Sequence, residues 1–404
     1  MTSSTLPALS DMKTKTKAKT KRRTVKTRIL ILSDTHASLP LPAESQSQAQ
    51  APFHTPLPSP DVLIHTGDLT MTGSLAEHRS AIQLIHSIDA PLKIVIPGNH
   101  DLTLDRDYYS KHHTGLHASY PRYSGEVLDD IQDLYSGPKA RDAGVRYMVE
   151  GRASYRVPSN GARLNVYASA WQPEFWNWAI GYARDVDRFN PPLQNPETNP
   201  ETSSSSTKSK EGMLPLGEPE NPEEEEQSKQ SKPPRDKLEN PVPDFDDDDS
   251  KNGVDVMLTH GPPMGILDQT MREGESVGCE HLRRAVERCR PRMHCFGHIH
   301  EAWGACRKRW DVDTTTSNNN KEGEEPQGDG QTHTIDPGSY DSLVDRMGAY
   351  VDATDLEYGK ETLFVNASIM NLQYRPLNAP WVVDLELPVA SDDEDEDGTG
   401  NEGE

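Results

Sequence analysis

Apolar side chains are scarce in this chain: Ala, Val, Ile, Leu, Met, Phe, Trp, Tyr and Cys together make 33% of its 404 residues, and aromatics only 6%. So little apolar material over such a length excludes two fully packed domains and predicts one core diluted by polar segments that do not fold. No run approaches the ~20 apolar residues that span a bilayer, and the N-terminus has no apolar stretch of the kind that leads a chain into secretion. Cysteine is sparse too. Cys279, Cys289, Cys295 and Cys306 form no CxxC pair, which argues against a zinc knot and for buried free thiols in a reducing compartment. The chain is therefore expected in the cytoplasm, with the nucleus as the alternative raised by the basic run KTKRR at 19–23.

Positive charge is also short: 42 Lys and Arg stand against 65 Asp and Glu, a formal charge of -23. Residues 197–250 hold 16 acids and 6 bases, and residues 391–404 hold 8 acids and no base, so these stretches contribute -10 and -8 of that charge. The remainder is only mildly acidic, and the total says little about what the folded part binds. Nucleic acid and membrane are not expected partners, whereas the acidic stretches offer a place for a basic protein to dock. Residues 1–26 alternate Lys and Thr without apolar periodicity and read as a disordered basic arm; 391–404 read as a disordered acidic tail.

Between these ends, 27–390 read as a single domain with polar insertions near 39–60, 190–250 and 314–332. Apolar runs at 28–33, 61–65, 92–96, 254–259 and 293–296 have the form of strands buried on both faces. Further strands are expected at 153–157, 164–169, 362–367 and 381–387. Leu75, Ile82, Ile85 and Ile88 fall at helical spacing, as do Leu282, Val286 and Cys289. Strand, strand, helix and strand in this order suggest an α/β layer with a partly parallel sheet. The stretch 190–250 cannot bury enough apolar surface to offset its ordering entropy, and it interrupts one domain because polar motifs resume beyond it.

Those motifs stand at the carboxyl ends of the five apolar runs, where open α/β sheets place their ligand sites. Asp34 and His36 follow the first run, Asp68 the second, Asn99 and His100 the third, His260 the fourth, and His298 and His300 the fifth. Asp, Asn and His supply oxygen and imidazole ligands suited to Mn, Fe, Zn or Mg. In an extended chain Asp34 and His36 point to one side and can hold one ion together; His298 and His300 share a face, one for each ion. Asp68 can bridge two cations through its two oxygens, and Asn99 adds a neutral ligand. Two ions about 3.5 to 4 Å apart clamp a phosphoryl group, lower the pKa of a bridging water and stabilise the attacking and leaving oxygens. His100 is expected to point away from the metals toward the leaving oxygen, as general acid, with Asp101 orienting its imidazole and raising its pKa.

Taken singly, an Asp or His after a strand is usually a turn former or a helix N-cap. Five strand ends carrying the set in order decide for a site. His112, His113, His117 and His294 fall outside the pattern and read as surface or packing residues. The aromatics Trp171, Phe175, Trp176 and Trp178 read as core packing or as a cleft wall that stacks on a nucleobase.

The motifs DTH (34–36), GD (67–68), GNHD (98–101), THG (259–261) and GHIH (297–300) resemble the signature of the calcineurin-like metallophosphoesterase superfamily. Longer matches, SDTH (33–36), DVLIHTGD (61–68), PGNHDLT (97–103), WQPEF (171–175), LTHGPP (258–263), FGHIHE (296–301) and FVNASIMNLQYR (364–375), bring the chain closest to the metallophosphoesterase-domain-containing family related to fetal brain protein 239. The resemblance implies a four-layer α/β/β/α metallophosphoesterase sandwich. It also implies one ion on Asp34, His36, Asp68 and His300 and a second on Asp68, Asn99, His260 and His298. Some members carry glycine where this chain has His298; the polar insertions are the departures. The implied activity is hydrolysis of phosphoric esters with two divalent ions, Mn first and Fe, Zn or Mg as alternatives. The substrates expected are cyclic nucleotides or other small diesters, with a metal-bridging hydroxide as nucleophile and His100 as general acid. A Ser/Thr protein phosphatase and a non-catalytic metal-binding scaffold are the alternatives.

Overall fold

In strand β1 (Thr24–Leu32), Ile29 and Ile31 face one core while Leu30 and Leu32 face another, and none of the four is exposed. This is the two-residue period of a strand buried on both faces. The structure is a computed structural model that describes residues 23–42, 51–115, 117–191, 241–245, 253–271, 274–310 and 331–391. The arm before Arg23, most of the central and third insertions and the acidic tail after Ser391 lie outside the described residues.

Strands β2 (Val62–Thr66) and β3 (Leu92–Ile96) are buried throughout. Helix α1 (Leu75–Ser87) joins them, opened by a capping box in which Ser74 accepts from the Glu77 amide and Glu77 accepts from the Ser74 amide. Helices α2 (Arg106–His112), α3 (Gly125–Ser136) and α4 (Pro138–Asp142) lead to β4 (Val145–Tyr147). Strands β1 to β4 run parallel.

The second sheet begins with the hairpin β5 (Glu150–Arg156) and β6 (Arg163–Ser169). A two-stranded ribbon, β7 (Gln172–Pro173) and β8 (Gly181–Tyr182), leaves it before β9 (Val256–Thr259), α5 (Glu280–Cys289) and β10 (Met293–Phe296). Then follow β11 (Gly304–Arg309), β12 (Thr332–Thr334), α6 (Tyr340–Arg346), β13 (Ala349–Ala353), β14 (Glu361–Asn366) and β15 (Trp381–Pro388). The first sheet has the order β13-β15-β1-β2-β3-β4 and the second β12-β11-β14-β10-β9-β6-β5.

Between the sheets pack Ile31, Ile64 and Ile94 from one side and Val166, Leu258, Cys295 and Val365 from the other. Outside the first sheet, Leu63 and Val95 meet Ile82 and Ile85 of α1 and Ile131 and Tyr135 of α3. Outside the second, Met257, Phe296 and Phe364 meet Leu282, Val286 and Cys289 of α5. The result is the four-layer α/β/β/α sandwich. All four cysteines are free and buried. No helix among the described residues is long and apolar enough to cross a membrane.

Order extends further than polar composition suggests. Thr24 to Lys26, placed in the arm by their composition, pair with Pro388, Leu387 and Glu386 of β15. Within 39–60, Ala51 and Phe53 are buried, Phe53 in the core beneath α1. Within 190–250, Val242 is buried against α5, and the Phe245 amide donates to the Arg288 carbonyl. Single apolar residues in a polar context have no periodicity to reveal them.

Candidate metal centre

Strands β1, β2 and β3 of one sheet and β9 and β10 of the other end on a common rim, where their loops touch. The Asp34 amide donates to Gly67 O at 2.9 Å, the His36 amide to Asp68 O at 3.0 Å and the Gly297 amide to His260 O at 2.9 Å. The extended alternation expected to align Asp34 with His36 is not how they align. Both have left-handed backbone, φ 52° and 44°, and so do Asp68 at 52° and His298 at 67°. Such conformations cost on the order of 1–3 kcal/mol each and persist only where the surroundings enforce them. Close approach also explains two glycines: a Cβ on Gly98 would strike the Asp68 amide and carboxylate, and one on Gly297 the Asp34 carboxylate.

Ligand atoms of Asp34, His36, Asp68 and His300 all lie within 4.8 Å of one another, as do those of Asp68, His260 and His298, so Asp68 is common to both groups. Asn99 joins the second: its Oδ1 is 2.9 Å from His260 Nε2. His36 Nε2 lies 3.7 Å and His260 Nε2 3.4 Å from different oxygens of Asp68, and His300 Nε2 lies 3.3 Å from Asp34. His36, His260 and His300 turn Nδ1 to the carbonyls of Thr70, Thr66 and Asn371 at 3.0, 2.9 and 3.3 Å. A carbonyl only accepts, so Nδ1 carries a proton and Nε2 is left facing inward. Carboxylate, amide and inward Nε2 atoms in two groups fit divalent ions.

The protein's own groups set the charge balance there. Burial raises the Asp34 and Asp68 carboxyls, but His300 beside the first and His260 beside the second outweigh it, and both stay below the ordinary carboxylate range. Burial lowers His36 to about 4 and His298 to about 3, leaving them neutral. For His260 burial is overcome by the Asp68 charge, which raises it to about 9. A divalent ion competes with that proton for Nε2, so ion binding releases it.

His100 is held differently. Its Nδ1 meets Met71 O at 2.8 Å, its ring stacks on Trp178 at 4.0 Å, and it lies edge-on to His36 at 4.9 Å. The expectation that Asp101 orients this ring is corrected. The Asp101 carboxylate accepts from the amides of Leu69, Thr70 and Gly98 at 3.1, 2.8 and 2.8 Å and from the Thr70 hydroxyl at 2.7 Å. It staples the loops after β2 and β3, and the Met71 carbonyl holds the His100 ring. Burial and the Asp68 charge push the Asp101 carboxyl up to about 7, while those four donors favour its charged form.

Sequence patterns missed two neighbours. Gln172 donates from Nε2 to Asn99 Oδ1 at 2.8 Å, and the Tyr374 ring stands edge-on to His36 and His300 at 5.1 and 5.2 Å. Both lie inside the WQPEF and FVNASIMNLQYR stretches, the only signal that marked them. The aromatic cluster divides: Trp171 is partly buried beneath the Arg188 guanidinium, Trp178 stacks on His100, Phe175 lies edge-on to His298 at 5.7 Å, and Trp176 is exposed.

The family model described as calcineurin-like phosphoesterase matches residues 27–302. Metallophosphoesterase domain-containing protein 1 of Homo sapiens and that of Mus musculus are each 25% identical to this chain over 336 residues, 82% of this chain and 67% of the relative. A UPF0046 protein of Caenorhabditis elegans is 27% identical over 256 residues, 61% of this chain and 48% of its own length.

Proposed function

Since the chain belongs to the calcineurin-like phosphoesterase family, a class of metal-dependent hydrolases, we propose that it is a phosphodiesterase acting on cyclic nucleotides or similar small diesters. The observation that carries this reading is the pair of ligand groups joined at Asp68, with the His100 ring beside them. Asp34, His36, Asp68 and His300 would hold one ion, and Asp68, Asn99, His260 and His298 the other, with Mn the first choice. When bound, such ions supply positive charge to the phosphoryl group and a nucleophile at neutral pH.

The chain's own residues supply the rest. With Nδ1 engaged by Met71 O, His100 has Nε2 left to donate a proton to the leaving oxygen. Trp178 keeps that ring in its plane. Tyr374 stands beside one ligand group and Phe175 beside the other, 45% and 52% exposed, and such flat faces suit a nucleobase or aryl ester.

Three of the cations nearest the motifs are engaged elsewhere. The Lys93 ammonium is held by the carbonyls of Ala90 and Ala143, Arg106 pairs with Asp129, and Arg184 donates to the carbonyls of Val277 and Gly278. None of these three cations is left to clamp the second negative charge of a monoester. The free, buried thiols fit a reducing compartment, cytoplasmic or nuclear.

With Mn, kcat/KM for a cyclic nucleotide or aryl diester is expected to exceed that for phosphoserine peptides at least about tenfold, a difference of ~1.4 kcal/mol in transition-state binding. Comparable or faster peptide turnover would establish a Ser/Thr protein phosphatase instead. Two bound ions with no turnover of any ester would leave a metal-binding scaffold.

A further inference from the structure

Two buried histidines outside the ligand groups repeat one arrangement, once on each sheet. On the first, His65 of β2 places Nε2 2.9 Å from the hydroxyl of Thr35, the residue between Asp34 and His36. On the second, His294 of β10 places Nε2 2.8 Å from the hydroxyl of Thr259, the residue before His260. Each contact crosses from one strand to the loop or end of its parallel neighbour, β2 to β1 and β10 to β9. All four side chains are inaccessible to solvent.

The hydrogen bonds on the second sheet have a defined direction. The Thr259 hydroxyl donates its single proton to Gly261 O at 2.7 Å, so it can only accept from His294, which must carry its proton on Nε2. The bonds therefore run from His294 through Thr259 to Gly261 and span the turn that carries His260. Among the described residues, Nδ1 of both His65 and His294 has no hydrogen-bond partner. Leaving a buried polar atom unpaired is unfavourable, and here it occurs in strands whose other side chains are mostly apolar. That cost goes with holding one hydroxyl beside a ligand-bearing turn, where Asp34 and His36 already have left-handed backbone.

We propose that His65 and His294 are positioning residues, His65 bracing the Asp34 and His36 loop through Thr35 and His294 bracing the His260 turn through Thr259, so that each governs a different ion. The assignment of ions rests on the two-ion reading above. A ligand-supporting partner of this kind changes metal affinity by roughly 10- to 100-fold when removed.

The test is a calorimetric titration of Mn into the full chain freed of metal with a chelator, with His300→Ala and His298→Ala marking which binding event belongs to which ligand group. Thr35→Val, close in volume but without the hydroxyl, should weaken the event lost in His300→Ala by about 10- to 100-fold and leave the other within about threefold. Thr259→Val should do the converse, and Thr35→Ser and Thr259→Ser, which restore the hydroxyl, should restore affinity. His65→Leu and His294→Leu delete the braces from the other end and should give the same split; they stand in for a valine variant that does not fold. Unchanged affinities, equal weakening of both events, or no recovery with serine would overturn the braces while leaving two ions in place. Fewer than two binding events in the unsubstituted chain would overturn the two-ion reading and this inference together.

Discussion

His100 takes its orientation from residues remote in sequence, the Met71 carbonyl on Nδ1 and the Trp178 ring against its face, and not from Asp101 beside it. Its amide donates to Asp68 Oδ1 at 2.8 Å, which ties its place to the carboxylate shared by both ligand groups. His100→Ala is expected to keep its metal content and lose turnover by about 10²- to 10⁴-fold, the range for a lost general acid. The loss should shrink along a series of diesters with better leaving groups, since nitrophenolates need little protonation. Rates across that series, with metal analysis of the same preparation, decide the point; an equal loss for every leaving group would give His100 another role.

At the scale of elements, β1, β13 and β15 are joined by a carboxylate as well as by their ladders. Asp384 of β15 is buried and accepts from Arg28 at 2.8 and 2.9 Å and from the Tyr350 hydroxyl at 2.9 Å, and Lys26 lies 3.2 Å away. The Arg28 hydrogen bonds outweigh burial and hold this carboxyl down to about 2, from an ordinary 3.8. A group depressed on folding stabilises the fold above its unfolded pKa and ceases to do so as pH falls through the folded one. Because the Arg28 and Lys26 side chains are 44% and 58% exposed and screened by solvent, Asp384→Asn is expected to cost on the order of 1 kcal/mol at pH 7, with the difference closing as pH falls from about 4 toward 2. Urea unfolding of both proteins at several pH values checks this, and a difference independent of pH would assign the loss to packing alone.

For the whole molecule, the polar central stretch separates into two parts with different consequences. Removing 196–239 should leave the melting temperature and the turnover of small diesters nearly unchanged, because a polar insertion adds little to a core. Extending the deletion through 249 also removes Val242, which is 1% exposed against α5, and the Phe245 amide bonded to Arg288 O. Losing one buried valine forfeits about 1.5–3 kcal/mol, so the longer deletion should melt roughly 3–12 °C lower. Thermal melts of the two deletions side by side measure this. Equal melting temperatures would show Val242 to be dispensable, and a fall in the shorter deletion would place residues 196–239 in the fold.

The strands and the rim they share can be read from the order of the amino acids. A strand buried on both faces must be a continuous apolar run, and an Asp, Asn or His at its end stands out against that run. So 92–96 and 293–296 match the observed strands residue for residue, and the polar set at five strand ends meets in space. Of the helices between Arg106 and Asp142, α3 does carry a helical period in Val127, Leu128, Ile131, Leu134 and Tyr135, whereas α2 and α4, seven and five residues long, are too short to set one. What each polar group does follows from contacts made across the folded chain. Gln172 reaches Asn99 from 73 residues away, and Asp34 accepts from the His298 amide across 264. In the folded chain Asp34 and His36 take up left-handed backbone, Asp101 accepts from amides instead of facing an imidazole, and Val242 enters a core its neighbours in sequence do not share. Local pattern records which residues can be buried or can bind an ion; which partner each one meets depends on chain closure over distances that no local pattern encodes.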